Sequence, residues 1–280
     1  MIRALRNVRI TLSASFILAV AAAGALAGVV APHPPLEMHP SDRLQGPSSR
    51  YPFGTDEFGR DTLSRLLYGT RISLLVAVLA VSLAAVTGTA MGVVAAYYRG
   101  WLEAALMRTV EVILSFPPVL LAIAVIAFLG ASTRNVTLTI AVLYTPLFAR
   151  IAYGSSLRVC EMEFVEAARA MGANDLRIIG RAILPNLLAP LMVQFSLSLG
   201  FAILLESGLS FLGMGPPPPA PSWGRMVSSG RHFMEISPSL VVFPSLVILG
   251  TVLSFNLLGD GLRDLLDPRL RERSGGRGNL

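Results

Sequence analysis

The sequence predicts an all-α membrane protein with six transmembrane helices. Two features of composition and one of pattern predict it. Only 14% of the 280 residues are charged and 53% are hydrophobic, whereas soluble domains carry close to a quarter charged residues. The mean hydropathy is +0.64. The charges that do occur leave six charge-free runs. That spacing is expected where an Arg or Asp at the centre of a membrane helix costs about 2.5–3.5 kcal/mol.

The runs are Ile10–Leu36, Ile72–Tyr98, Val112–Thr133, Asn135–Ala149, Ala182–Leu205 and Ile236–Gly259. A helix needs about 20 residues to cross the hydrocarbon core, and five runs reach the usable length of about 17–25. Asn135–Ala149 reaches it when extended past Arg150 to Ser156, because an arginine near a helix end can snorkel to the headgroups. The first run follows Arg3, Arg6 and Arg9. It is longer than the about 7–15 apolar residues of a signal peptide, so a retained helix is expected there. Ala25–Ala27 is the stretch that could mimic a cleavage site.

All positive charge comes from arginine, since the sequence has no lysine. A Walker A loop needs a lysine at the phosphates, and Schiff-base chemistry needs a lysine amine, so neither is expected. The arginines flank apolar spans rather than forming one soluble basic face, which argues against nucleic acid and for membrane orientation. With the N-terminus in the cytoplasm, more arginines fall on inside segments than on outside ones, which favours that topology. Cys160 is the only cysteine, so no intrachain disulfide and no cysteine-based metal cluster can form. The chain divides into 1–71 (N-terminal tail, first span and external loop), 72–262 (a five-helix core) and 263–280 (a cytoplasmic tail). The last residues, Gly275–Leu280, are polar, glycine-rich and expected to be disordered.

The segment Glu163–Asn186, EFVEAARAMGANDLRIIGRAILPN, stands between the fourth and fifth spans and is cytoplasmic on this topology. Glu163–Met171 is built from good helix formers. Phe164, Ala167, Ala168 and Met171 make one apolar stripe at i, i+3, i+4 and i+7, and Glu166 can pair with Arg169. Gly172 stands where a left-handed cap would end the helix. Asn174 and Asp175 offer N-cap chemistry for a second segment, Leu176–Ile183. A helix this short is marginal alone in water and must pack against something. A helix lying on the lipid headgroups is the plainer reading; a rigid knob presented to a cytoplasmic protein is the functional one.

EAARAMGA followed by ILPN resembles the EAA loop of permease subunits in binding-protein-dependent ABC importers. Phe53–Leu74, Leu209–Gly224 and Asn256–Arg271 are similar, in order, to segments of the dipeptide, oligopeptide and nickel permeases, and the variable N-terminal span resembles the C-type partner of the permease pair. The resemblance implies a type I importer permease fold with a coupling helix between the fourth and fifth helices, in an EAA loop at about 158–186. It implies an ATPase-coupling site at Phe164, Glu166, Ala167, Ala168, Arg169, Gly172, Ala173, Pro185 and Asn186. It implies four partners besides membrane lipid: a second related permease, two ATPase subunits and an external binding protein. ATP and magnesium would be bound by the ATPases, with no cofactor on this chain and no catalysis by it. Dipeptides or short oligopeptides are the implied cargo, with nickel chelates and glutathione as alternatives. One departure is Ala182, where relatives often carry histidine; it is read as a local packing change.

Remaining candidates divide as follows. Asp56–Asp61, DEFGRD, lacks EF-hand spacing and reads as a structural turn. His33, His39 and His232 read as solvated loop residues. Met214–Gly224, MGPPPPAPSWG, reads as a stiff external loop, or as a docking surface for an external partner. Glu206, near the outer end of the fifth span, is a candidate for the translocation path or a gate, or else a packing group. An ion-coupled secondary transporter would need carboxylates or histidines deep in its spans. A membrane enzyme would need a nucleophile with its base, and no such motif is present.

Overall fold

The computed structural model describes residues 2–266, with side chains from residue 8 onward. Among the described residues the architecture is helical, with one isolated bridge between Thr55 and Asp61. Five helices are long and apolar enough to cross a membrane, and a bent pair makes a sixth crossing if counted together. The predicted tail from residue 267 lies outside the described residues.

Helix α1 covers Ile2–Ala25 and a short α2 covers Ala27–Val30. The charge-free run reaches Leu36, but the apolar span is expected to end near Ala31, with an external loop from about Pro32. It ends there, where Ala31 is extended (φ −66°, ψ 127°), the conformation that a following proline favours. The open carbonyls at the end of α1 are taken from another helix: Arg71 donates to Gly24 O at 2.6 Å and to Ala25 O at 2.8 Å. That long-range cap satisfies groups that would otherwise need water.

Helix α3 covers Thr62–Tyr98, 37 residues. At 1.5 Å per residue it is about 55 Å long, well beyond a hydrocarbon core of about 30 Å. Its N-cap is Asp61, whose side chain accepts from Ser64 N at 3.0 Å. The predicted start at Ile72, and with it the division between residues 71 and 72, falls inside this helix. Arg65 and Arg71 ended the charge-free run but not the helix.

The third span, predicted as continuous over Val112–Thr133, is corrected. Helix α4 covers Gly100–Leu114 and α5 covers Pro118–Leu129, and the two meet at 93°. Pro117 and Pro118 lack the N–H groups that would carry the ladder through. Helix α6 covers Thr133–Cys160, N-capped by Ser132. It crosses as expected but runs past Ser156. The connection then forms α7, Glu163–Ala170, and α8, Asp175–Ile178. A π-helical stretch at Ile179–Ile183 leads into α9, Leu184–Phe211. Helix α10 covers Trp223–Gly230 and α11 covers Ser239–Leu266.

The main core gathers Val76, Ala80, Ala84, Phe148, Ile203 and Trp223 with their neighbours from α3, α6, α9 and α10. Helices α3 and α6 approach most closely at Gly88 and Gly92, where an added Cβ would lie 2.4 Å from Thr145 O and 2.3 Å from Ala149 O. Small residues at such spacing let membrane helices meet backbone to backbone.

The proline-rich stretch is a loop, as expected, but its SWG end is corrected: it is the buried start of α10. Trp223 is fully buried, with its indole N–H 3.3 Å from Thr70 Oγ1 and its backbone N–H 3.4 Å from Ser73 Oγ. Trp223→Ala is expected to cost about 3–5 kcal/mol and to release α10 from α3, read as a fall in Tm of the detergent-solubilised protein.

The DEFGRD turn is structural, as expected. Asp56 accepts from the backbone of Phe58 and Arg60 and pairs with the Arg60 and Arg65 side chains. His33 departs from the solvated reading. Its ring lies 5.0 Å from that of Tyr51 and its Nδ1 is 3.6 Å from Asp61 Oδ2.

Candidate partner-docking helix

Helix α7 is eight residues long with Glu163 and Glu166 in its first turn and Arg169 in its last, the arrangement that complements the helix dipole. Its end is the one that the glycine predicts. Gly172 has φ +77°; its N–H donates to Arg169 O at 2.9 Å, and Ala173 N–H donates to Ala168 O at 3.0 Å. Those two bonds are the Schellman pair, which needs a left-handed residue between them. Asn174 then caps α8, accepting from Arg177 N at 2.9 Å.

What holds α7 to the bundle is a residue that the sequence reading passed over. Val165 is fully buried in a second apolar cluster with Val93 of α3, Ala152, Val159 and Cys160 of α6, Ile178 of α8, Ile183, and Leu187 of α9. Ala168 and Ala173 pack against its edge. Tyr97, from the last turn of α3, adds two ties: its hydroxyl donates to Asp175 Oδ1 at 2.8 Å, and the Arg169 guanidinium lies 5.1 Å from its ring centroid. A cation over an aromatic face at that distance is attracted by the ring quadrupole. The expected Glu166–Arg169 pair is therefore not formed, since Arg169 turns to Tyr97. Arg99 and Glu161 close a further pair at 3.1 Å.

Of the stripe predicted from periodicity, Ala168 turns to this cluster and the other three residues point away from it. Phe164 and Ala167 are exposed, and Met171 and Leu176 are each 81% exposed. So the helix is seated by Val165 on one side and offers Phe164, Ala167 and Met171 on the other, with Glu166 exposed among them. Pro185 and Asn186 stand exposed in the first turn of α9, and Asn186 bonds back to Ala182 O at 2.7 Å. The residue signals for the seat were present in Val165, an i−3 neighbour of Ala168, and in the tyrosines ending the second charge-free run. Their pairing across the chain was not.

Glu206 is not part of this surface. It lies 22 positions beyond the start of α9, about 33 Å along the helix. It is fully buried and accepts from Ser210 Oγ at 2.7 Å, while its Oε2 and the neighbouring Ser207 Oγ have no partner. Next to it, Gly224 of α10 approaches so closely that a Cβ would meet Ser207 O at 2.0 Å. Among the described residues no group of three or more His, Cys, Asp or Glu side chains could hold a metal.

Residues 88–272 match the family described as the binding-protein-dependent transport system inner membrane component. The chain belongs to this family. It is a multi-pass inner-membrane component of a transport system. The chain is 46% identical over 235 residues to a dipeptide transport system permease of Alkalihalophilus pseudofirmus, covering 84% of this chain and 77% of that one. It is 47% identical over 231 residues to a glutathione transport system permease of Pectobacterium atrosepticum, covering 82% and 77%. A glutathione permease of Escherichia coli O157:H7 is 42% identical over 260 residues, covering 92% and 86%. In fold, this inner membrane component is similar to a solved chain of the MetNI methionine ABC transporter, with TM-score 0.59 at 18% identity, covering 72% of this chain and 96% of that one. The type I ABC permease fold expected from the resemblance is thus present, with the bent α4–α5 pair in the place of a straight third span.

Proposed function

We propose that this permease forms half of the translocation pathway of an importer for dipeptides or short oligopeptides, and that α7 is the lever through which ATP hydrolysis in separate subunits moves it. The observation that carries this reading is the two-sided character of α7. One side is locked to the ends of α3, α6 and α9 by Val165, Tyr97 and Asp175; the other leaves Phe164 and Met171 exposed among the described residues. A helix seated only on lipid would not need a lock to three helices. Force applied to Phe164–Ala173 by an ATPase in the cytoplasm would pass to α6 through Glu161 and Met162 and to α9 through α8, tilting both. Both termini would be cytoplasmic, a second related permease would complete the pathway, and two ATPases would bind ATP and magnesium. An external binding protein would deliver the cargo. The names of the similar permeases support peptides, and glutathione, itself a tripeptide, falls within the same cargo class. Nickel chelates are the alternative cargo. The ligand that co-purifies with the binding protein decides among them.

Gly172→Trp tests the lever. An added Cβ meets nothing within 4 Å, so this chain does not clash with it. The left-handed backbone costs an L-residue about 1–2 kcal/mol, and the indole projects where a partner would seat. Normal membrane insertion with ATPase recovery and uptake reduced about tenfold or more is expected, a loss of about 1.4 kcal/mol in coupling or beyond. Wild-type levels of both would remove α7 from the mechanism.

A further inference from the structure

The third-span correction exposes a feature that the sequence concealed. A groove of about 840 Å³ opens between α4 and α6, within the range of small-molecule sites, about 300–1,000 Å³. Its walls carry Glu103, Arg108 and Glu111 from α4 and Arg150 and Tyr153 from α6. Most of these charges are already paired. Tyr153 donates to Glu103, and Arg108 lies 3.2 Å from Glu111. Arg150 is exposed and has no ion pair among the described residues.

The position of Arg150 matters as much as its freedom. Arg150 is expected to snorkel from near a helix end, yet α6 continues to Cys160, about 15 Å further on. The Arg150 guanidinium, set back from the helix end, shares the groove with two carboxylates and an arginine of α4 and with Tyr153 of its own helix, a setting poorly suited to lipid. Charged groups within membrane-spanning helices face a bundle interior or a water-filled cavity. On the topology proposed above, this groove is where cargo would leave the membrane for the cytoplasm. With Glu103 bonded to Tyr153 and Arg108 paired with Glu111, Arg150 is the charge in this lining left to meet a ligand. A free carboxylate is the ligand that an unpaired arginine holds best, through two parallel hydrogen bonds.

We propose that the α4–α6 groove is an inner exit site for a short peptide, with Arg150 taking its terminal carboxylate. The inference rests on the peptide-importer reading.

The test uses the complete importer in lipid nanodiscs, with Ala104→Cys as a reporter. Ala104 is exposed in the groove, and the native Cys160 is only 7% exposed, so wild type supplies the labelling background. A membrane-impermeant maleimide is expected to label the reporter, and dialanine above its Kd to slow labelling by roughly threefold or more. The C-terminal amide of dialanine should not protect, and Arg150→Gln should abolish protection by dialanine. Three results overturn the proposal: equal protection by the amide, protection that survives Arg150→Gln, or a reporter that labels only when the second permease is absent. Labelling that responds to phosphatidylethanolamine content and not to peptide would assign the groove to a lipid headgroup and also overturn it. Wild-type uptake of dialanine, measured alongside, tests the cargo reading by itself: no uptake with protection intact defeats that reading and the exit role with it, whereas uptake without protection defeats the groove assignment alone.

Discussion

Gly92→Val is expected to part α3 from α6 and to cost on the order of 3 kcal/mol, at the upper end of what overpacking costs in a filled core. A Cβ at Gly92 would stand 2.3 Å from Ala149 O, 2.7 Å from Tyr153 N and 2.8 Å from the Ala152 Cβ. Two of those three atoms are backbone, so no rotamer change relieves the contact. The helices must separate, and the seam they form includes Gly88, equally tight against Thr145 O. Membrane helices gain little from hydrophobic transfer once inserted and associate by close packing, so an added gap along this seam is lost stability. Unfolding of the detergent-solubilised protein is the readout, with Gly154→Ala on α6 as the control. Gly154 has nothing within 4 Å of an added Cβ, and the exchange should be neutral or slightly stabilising through helix propensity. Equal Tm values for the Gly92→Val and Gly154→Ala variants would show that α3 and α6 do not meet as described.

Val165→Asp is expected to uncouple the protein while leaving it in the membrane. Val165 is fully buried among Val159, Cys160, Ile178, Ile183 and Leu187. A carboxylate there enters an apolar cluster, with Arg169 one turn on already held over Tyr97, so it must be neutralised, at a cost, pull Arg169 from Tyr97, or drive α7 off its seat. Each route costs several kcal/mol, on the order of 3. The penalty is local, because the main core of α3, α6 and α9 is a separate cluster. Membrane levels within about twofold of wild type, uptake down tenfold or more, and faster proteolysis between residues 163 and 173 are the expected results. Val165→Ile keeps the apolar contact and should retain most uptake. If Val165→Asp transports normally, the seat described here transmits nothing.

Several elements were legible in the chain because their causes are local. The glycine that ends α7, the asparagine that caps α8, the turn at DEFGRD and the apolar lengths of α6, α9 and α11 each depend on residues a few positions apart. Of the stripe Phe164, Ala167, Ala168 and Met171, three residues are exposed and Ala168 packs inward; the assignment to a coupling loop came from resemblance. Where the reading failed, it treated charge as punctuation. Arg65 and Arg71 seemed to end a span, yet α3 runs straight through them, since Arg65 pairs with Asp56 and Arg71 caps α1. Arg150 was placed at a helix end and stands well inside one.

By itself the sequence determined that this chain enters a membrane, about how many times it crosses, and that a short capped helix interrupts the crossings. Transfer free energy and capping are summed along contiguous residues, so they can be read in one dimension. Only the tertiary structure decided that Val165 seats that helix, that Trp223 is a plug rather than a loop, that the third span bends at its prolines, and that Arg150 faces a groove. Each of those depends on pairs of groups far apart in the chain, and what a buried or charged side chain costs is set by the neighbour it meets.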